Sequence, residues 1–390
     1  MSSTNSAEKN GLPLDGIRVV EFTHMVMGPT CGMILADLGA EVIKVEPPGG
    51  DKTRKLPGLG IGFFRSFNRN KKSVVIDIQS DAGRATAREL VGTADVVLEN
   101  FRPGLMASLG LDHASLAADF PRLIYVSHKG FLPGPYEHRT ALDEVVQMMG
   151  GLSYMTGPPG RPLRAGTSVN DIMGGMFGAI GVLAALRERE HTGRGQEVQS
   201  ALFENCAFLS AQNMQQHLMT GEPVPPMPAR ISSWSVYDVF TLKDGEQLFI
   251  GAVSDRQFQI LCRVLDLPDL AAEPALASNA QRVAARAELI PRLAAILARH
   301  DVAELVPKLE ANGLPYAPIV KPEQLVHDPH LKESGGLVPM QTEDGGSTDV
   351  VLLPITLDGR RLGVRLPLPR AGEHDDEILG ALPSGAARRN

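Results

Sequence analysis

Asp171 is the residue whose surroundings most demand a chemical explanation. It lies in RAGTSVNDIMGGMFGAIGVLAALRERE (164–190), at the mouth of a segment with no charged side chain from Ile172 to Leu186. A helix that is apolar all round is expected to be buried, so an acid in its first turn would be screened from water. Two roles are open to it: an N-cap that complements the helix dipole, or a desolvated nucleophile. Other candidates flank strand-like runs. His24 follows the first of them. NRNKKS (68–73) gathers Arg69, Lys71 and Lys72, and ENFRPG (99–104) offers Asn100, the ring of Phe101 and Arg102. Cations and an aromatic face on one rim suit a nucleotide-like ligand with several phosphates; a solvated basic loop reads the same way. Asp143 and Glu144 head another apolar stretch, where capping is again one reading.

Several chemistries lack their motifs. The first strand-to-helix turn, HMVMGPTCG, does not have the glycine spacing of a dinucleotide fold. There is no G-x-S-x-G elbow. Cys31, Cys206 and Cys262 are isolated, so no metal site is expected.

The elements that must position these residues alternate. IRVVEF (17–22), EVIKVE (41–46), SVVIDI (73–78), DVVLEN (95–100) and LIYVSH (123–128) read as strands. Helical stretches separate them, among them MGPTCGMILADLGA and DAGRATARELVGTA, the latter with Asp81 as its cap. Such alternation predicts an α/β class with a doubly wound, Rossmann-like parallel sheet. Ligands on such sheets bind beyond the carboxyl ends of the strands, which puts residues 24–30, 46–51 and 100–104 on one rim. GEPVPPMPARISSWS (221–235) reads as a linker, followed by a hairpin around Asp244-Gly245 and three helical stretches. The expected organisation is a large α/β domain over 1–220, a linker and small α+β domain over 221–330, and a return segment over 331–390 that completes the large domain.

The chain has 390 residues, too many for one ordinary core. Its net charge of −7 supplies no basic excess for nucleic acid. The polar N-terminus and the lack of a run of about 18 apolar residues argue against a signal peptide or membrane span. Unpaired cysteines fit a cytoplasmic location.

LDGIRVVEFTHMVMGPTCGMILADLGAEVIKVEPPGGD, NRNKKSVVIDI, ADVVLENFRPG, GTSVNDIMGGMFGAIGVLAAL, HTGRGQEV, DRQFQILCRVLDLPDL, GLPYAPI and GEHDDEIL occur in this order. Together they resemble the class III CoA-transferases from about Leu14 to Leu379. The resemblance implies an aspartate nucleophile at Asp171, working through aspartyl anhydride and aspartyl-CoA thioester intermediates. It implies coenzyme A as cosubstrate, with no permanently bound cofactor. His24 and Met25 would lie near the thiol arm, Asn68, Lys71 and Lys72 around the nucleotide, and Asn100, Phe101 and Arg102 further along. It also implies a homodimer of interlocked chains. Val26, Leu142, Asp143 and Gly251 fall at substrate positions. Val26 and Leu142 replace a glutamine and a tyrosine of formyl-CoA transferases, and Gly251 is what remains of a glycine run, which argues against formyl/oxalate specificity. An isomerase of the same fold, α-methylacyl-CoA racemase, needs a histidine where Leu142 stands; that activity and a non-catalytic CoA-binding protein are the alternatives. Arg54, Arg65 and Arg164 are candidates to receive a second carboxylate, which points to dicarboxylates and a succinyl-CoA donor.

Overall fold

The computed structural model describes residues 11–230 and 232–383; most of the polar N-terminal stretch read above, and Ile231 of the linker, lie outside the described residues. Six strands form one sheet: β1 (Arg18–Phe22), β2 (Glu41–Glu46), β3 (Lys71–Val75), β4 (Val96–Glu99), β5 (Ile124–Lys129) and β6 (Glu197–Ala201). Every neighbouring pair is parallel, in the order β3-β2-β1-β4-β5-β6. A parallel sheet is covered on both faces, so its strands are apolar runs without clean alternation. Val20, Ile43, Val97 and Tyr125 enter one core, where Leu90 of helix α2 (Asp81–Val91) also packs. Val19, Val42, Val96 and Ile124 enter the other, with Leu35 of α1 (Met27–Asp37).

Two local expectations are corrected. β3 begins at Lys71, before the apolar run starts, so both lysines are strand residues. Ser80, not Asp81, caps α2, its hydroxyl accepting from the N–H of Gly83 at 3.0 Å.

Two further helices matter for the site: α3 (Asp143–Met149) and α4 (Val169–Thr192). The glycines of α4 allow backbone-close packing. A Cβ on Gly175 would lie 2.6 Å from the carbonyl oxygen of Met27, and one on Gly178 would lie 2.3 Å from the His128 ring. The helix is not buried all round, however. Gly174, Gly178, Val182 and Ala185 face inward, whereas Met176 and Ile180 are 47% and 56% exposed. By length and composition α4 is apolar enough to cross a bilayer, and its inward face is part of the core beside the sheet.

The chain forms two compact units. The first runs to Pro228 and resumes at Pro329; the second is Ala229–Asp328. In the first, the returning segment lies along edge strand β3. The N–H of His374 donates to the Ser73 carbonyl (3.0 Å), and that of Val75 donates to Asp375 (2.8 Å). Leu362 and Ile378 complete the two cores. In the second unit, strands Val236–Thr241 and Gln247–Ala252 pair antiparallel around the Asp244-Gly245 turn, and Tyr316–Pro318 adds a third. Their inner face packs on helices Asp255–Val264, Arg286–Leu297 and Val302–Ala311.

Candidate active site

At the carboxyl edge of the sheet the chain leaves β1 through Thr23, His24 and Met25. The Asn100 amide clamps this turn: His24 N–H donates to its Oδ1 (3.0 Å), and its Nδ2 donates to the His24 carbonyl (2.8 Å). Met25 takes φ of +63°, a conformation that costs a side-chain-bearing residue energy and is held here by a bond from its N–H to Thr53. Beneath lies a buried ion set. Lys44 Nζ donates to the Thr23 carbonyl (2.7 Å) and pairs with Asp51 (3.0 Å). The His24 ring stacks on Phe101 at 5.4 Å, and burial holds its pKa below the ordinary imidazole value.

Two of the cavities on this edge share His24, Phe101 and Arg102. One, of about 450 Å³, is lined by Pro47, Asp51, Ile78, Gln79 and Leu105, together with His24, Phe101 and Arg102. The other, of about 290 Å³, shares those last three and reaches Lys129, Arg139, Leu142, Asp143 and Asp171. A ligand laid across His24 and Phe101 would therefore have one end among Ile78 and Gln79 and the other at Asp171.

Asp171 is the third residue of α4 and does not cap it. Ser168 holds the cap position and makes no side-chain cap bond. The acceptor at the helix mouth comes from α3: Asp143 Oδ1 takes the N–H of Asn170 at 2.8 Å. Nor is Asp171 held ionised by the helix end. Burial, reinforced by the charge of Asp143 and opposed by Arg164, pushes its pKa up to about 7. A carboxylate so poorly solvated is a strong nucleophile once ionised.

The residues expected to hold CoA separate into two groups. His24, Met25, Asn100, Phe101 and Arg102 stand on the carboxyl edge. Asn68, Lys71 and Lys72 do not, because β3 starts at the opposite edge. Lys71 is fully buried, 2.9 Å from Glu21 and 3.0 Å from the Asn68 side-chain oxygen. Arg69 pairs with buried Asp37 (2.6 Å), and Lys72 bridges Glu41 and Glu377. These cations are already neutralised inside the protein, which corrects their reading as a phosphate-facing loop. Val26 is likewise buried, at 1% exposure, and is not a wall residue of either cavity. The arginines singled out for a second carboxylate are also engaged: Arg54 with Glu46, Arg65 with Asp344, and Arg164 with Glu144 and Asp143. Gly251 lies in the second unit, within its central strand.

The sequence reading missed Lys129 and Arg139. Both line the cavity of Asp171; neither they nor Arg102 form an ion pair within 4 Å among the described residues, and the charge of Lys129 acts on buried Glu99. Position at the end of β5 was the available signal for Lys129. The three cysteines are free and buried, with burial pushing the Cys262 thiol up to about 11 and Cys31 higher still, so they are poor nucleophiles.

Residues 14–375 match CoA-transferase family III. The chain is 36% identical to a succinate–glutarate CoA-transferase of Agrobacterium fabrum, covering 95% of this chain and 96% of that protein. It is 37% identical to an acetyl-CoA:oxalate CoA-transferase of Acetobacter aceti, over 87% and 90% of the two chains. The crystal structure of a CaiB/BaiF family protein from Brucella suis superposes with a TM-score of 0.85 at 34% identity, covering 97% of this chain and 99% of that one. With a parallel sheet, a cavity on its carboxyl edge and a half-buried carboxylate in that cavity, the chain belongs to CoA-transferase family III and is a CoA-transferase.

Proposed function

We propose that the protein moves CoA from succinyl-CoA to a small dicarboxylic acid, with Asp171 as nucleophile. The observation that carries this reading is the half-buried Asp171 carboxylate, which lines a cavity that shares His24, Phe101 and Arg102 with a second cavity on the same edge. Ionised Asp171 adds to the thioester carbonyl, the C–S bond breaks, and CoA leaves as a thiolate. The product is a mixed anhydride of Asp171 and the donor acyl group. The thiolate then adds to the aspartyl carbonyl and expels the donor acid, leaving Asp171 as a CoA thioester. The acceptor carboxylate attacks that thioester, and the released thiolate takes the new acyl group and frees Asp171. No net proton is gained or lost. His24 and Phe101 would flank the thiol arm, while Arg102, Lys129 and Arg139 supply positive charge for a second carboxylate or the CoA phosphates. The resemblance to a transferase named for succinate and glutarate supports the choice of acids.

Hydroxylamine added during turnover should convert Asp171, and no other residue, to its hydroxamate, located by mass spectrometry. Asp171→Asn should lose transfer by at least about 10³-fold while still binding CoA. Full activity in that variant would remove the mechanism, and α-hydrogen exchange of a 2-methylacyl-CoA in deuterated water without transfer would favour an isomerase.

The interlocked homodimer belongs to the same proposal. On one protomer, Met176 and Ile180 of α4 stand exposed, as do Phe208, Met214 and Leu218 of the two helices after β6 (Leu202–Leu209 and Ala211–Thr220). An apolar surface of this kind fits burial against a second copy. Sedimentation equilibrium should give twice the mass of 41.8 kDa; a monomer at micromolar concentration would refute it.

A further inference from the structure

Asp143 is 7% exposed and fully engaged. Its Oδ1 accepts the N–H of Asn170, the second residue of α4, at 2.8 Å, which is the bond an N-cap side chain makes. Its Oδ2 accepts from Gln147 Nε2 at 2.6 Å, and the Gln147 carbonyl oxygen accepts the N–H of Ala165 at 2.8 Å. Arg164 stands 3.6 Å from the same Oδ2. One carboxylate thus ties α3, the segment before α4 and the first turn of α4 together, and Asp171 is the very next residue.

We propose that Asp143 is a positioning residue for the nucleophile: it caps α4 from a different helix, fixes the turn that aims Asp171 into the cavity, and faces that carboxylate with its own charge. The proposal rests on Asp171 being the nucleophile, and it assigns Asp143 a role through Asp171, not through substrate. Charge around Asp171 comes from several elements. Asp143 and Glu144 belong to α3, and Arg164 precedes α4. Across the cavity stand His24 after β1, Arg102 after β4, His128 and Lys129 on β5, and His138 and Arg139 beyond it. Of these, Asp143 is the group whose charge holds the Asp171 proton on, and Arg164 is the one that opposes it.

Two substitutions separate the cap from the charge. In Asp143→Asn an amide oxygen can still accept from Asn170, but the charge is gone. In Asp143→Ala both are lost. The readout is the carbon-13 titration of protein labelled at the aspartate carboxyl, with the Asp171 resonance identified by its loss in Asp171→Asn. The midpoint for Asp171 should fall by about one unit in Asp143→Asn, as expected for removing a neighbouring like charge. In Asp143→Ala, kcat should drop at least about tenfold while the KM for the CoA ester stays within about threefold, the pattern of a lost transition-state alignment. An unmoved midpoint in Asp143→Asn, or wild-type kcat in Asp143→Ala, overturns the proposal. Because the titration does not depend on turnover, an active Asp171→Asn enzyme would strike down the nucleophile and leave the effect of Asp143 on the carboxyl still measurable.

Discussion

Two sets of three cations, one at each edge of the central sheet, are used in opposite ways. At the amino edge of β3, Arg69, Lys71 and Lys72 each meet a carboxylate, and the first two are almost wholly buried. At the carboxyl edge, Arg102, Lys129 and Arg139 line the cavity beside Asp171 and form no ion pair within 4 Å among the described residues, although the charge of Lys129 acts on buried Glu99. The lesson is that a basic cluster in sequence does not announce a ligand. What distinguishes a binding cation from a structural one is whether the fold has already supplied its counter-charge.

Crossed substitutions would break or sharpen this contrast. Lys71→Met should destabilise the protein by roughly 3–5 kcal/mol in urea unfolding, because it leaves Glu21 buried without its nearest partner. Arg139→Ala should leave the unfolding free energy within about 0.5 kcal/mol of wild type, yet raise the KM for substrate about tenfold, the scale of a charged hydrogen bond. A stable Lys71→Met protein with a raised KM would reverse the assignment of the two edges.

A smaller effect per step concerns pH. Asp171 attacks as a carboxylate and its pKa lies at about 7, so kcat/KM should fall about tenfold per unit as pH drops below that value. The same shift has a stability consequence of opposite direction. Below about pH 3.8 the group is protonated in both folded and unfolded chains and contributes nothing. As pH rises towards 7, the unfolded chain ionises first and folding loses free energy. Asp171→Asn escapes that loss, so at pH 8 it should be more stable than wild type by about 4 kcal/mol. A rate profile flat between pH 5 and 8 would show that the carboxylate is better solvated than its burial implies.

Much of this was legible in the chain. The apolar runs predicted five of the six strands and a parallel sheet, and Asp171 stood out because no charged residue follows it before Arg187. The start of β3 was not legible, because two lysines look like loop until Glu21 and Glu41 are known to sit beside them. The cap of α4 was hidden for a different reason: its acceptor comes from 27 residues upstream, where periodicity and local capping rules cannot reach. The exposed stripe of α4 was hidden as well, since composition alone does not tell an inward apolar face from an outward one.

The return of the chain to its first unit has a consequence for the order in which a growing polypeptide acquires structure. The second unit is continuous, Ala229–Asp328, and all of its strands and helices emerge together. The first unit is split, and the residues that seal it, Leu362 and Ile378, together with the bonds from His374 and to Asp375 that cover the open side of β3, are synthesised after every strand of the sheet. Until they arrive, β3 presents unpaired backbone groups that another strand can recruit. A nascent chain that has already made Asp171 and every strand of the sheet thus still has an open edge, which the returning segment closes.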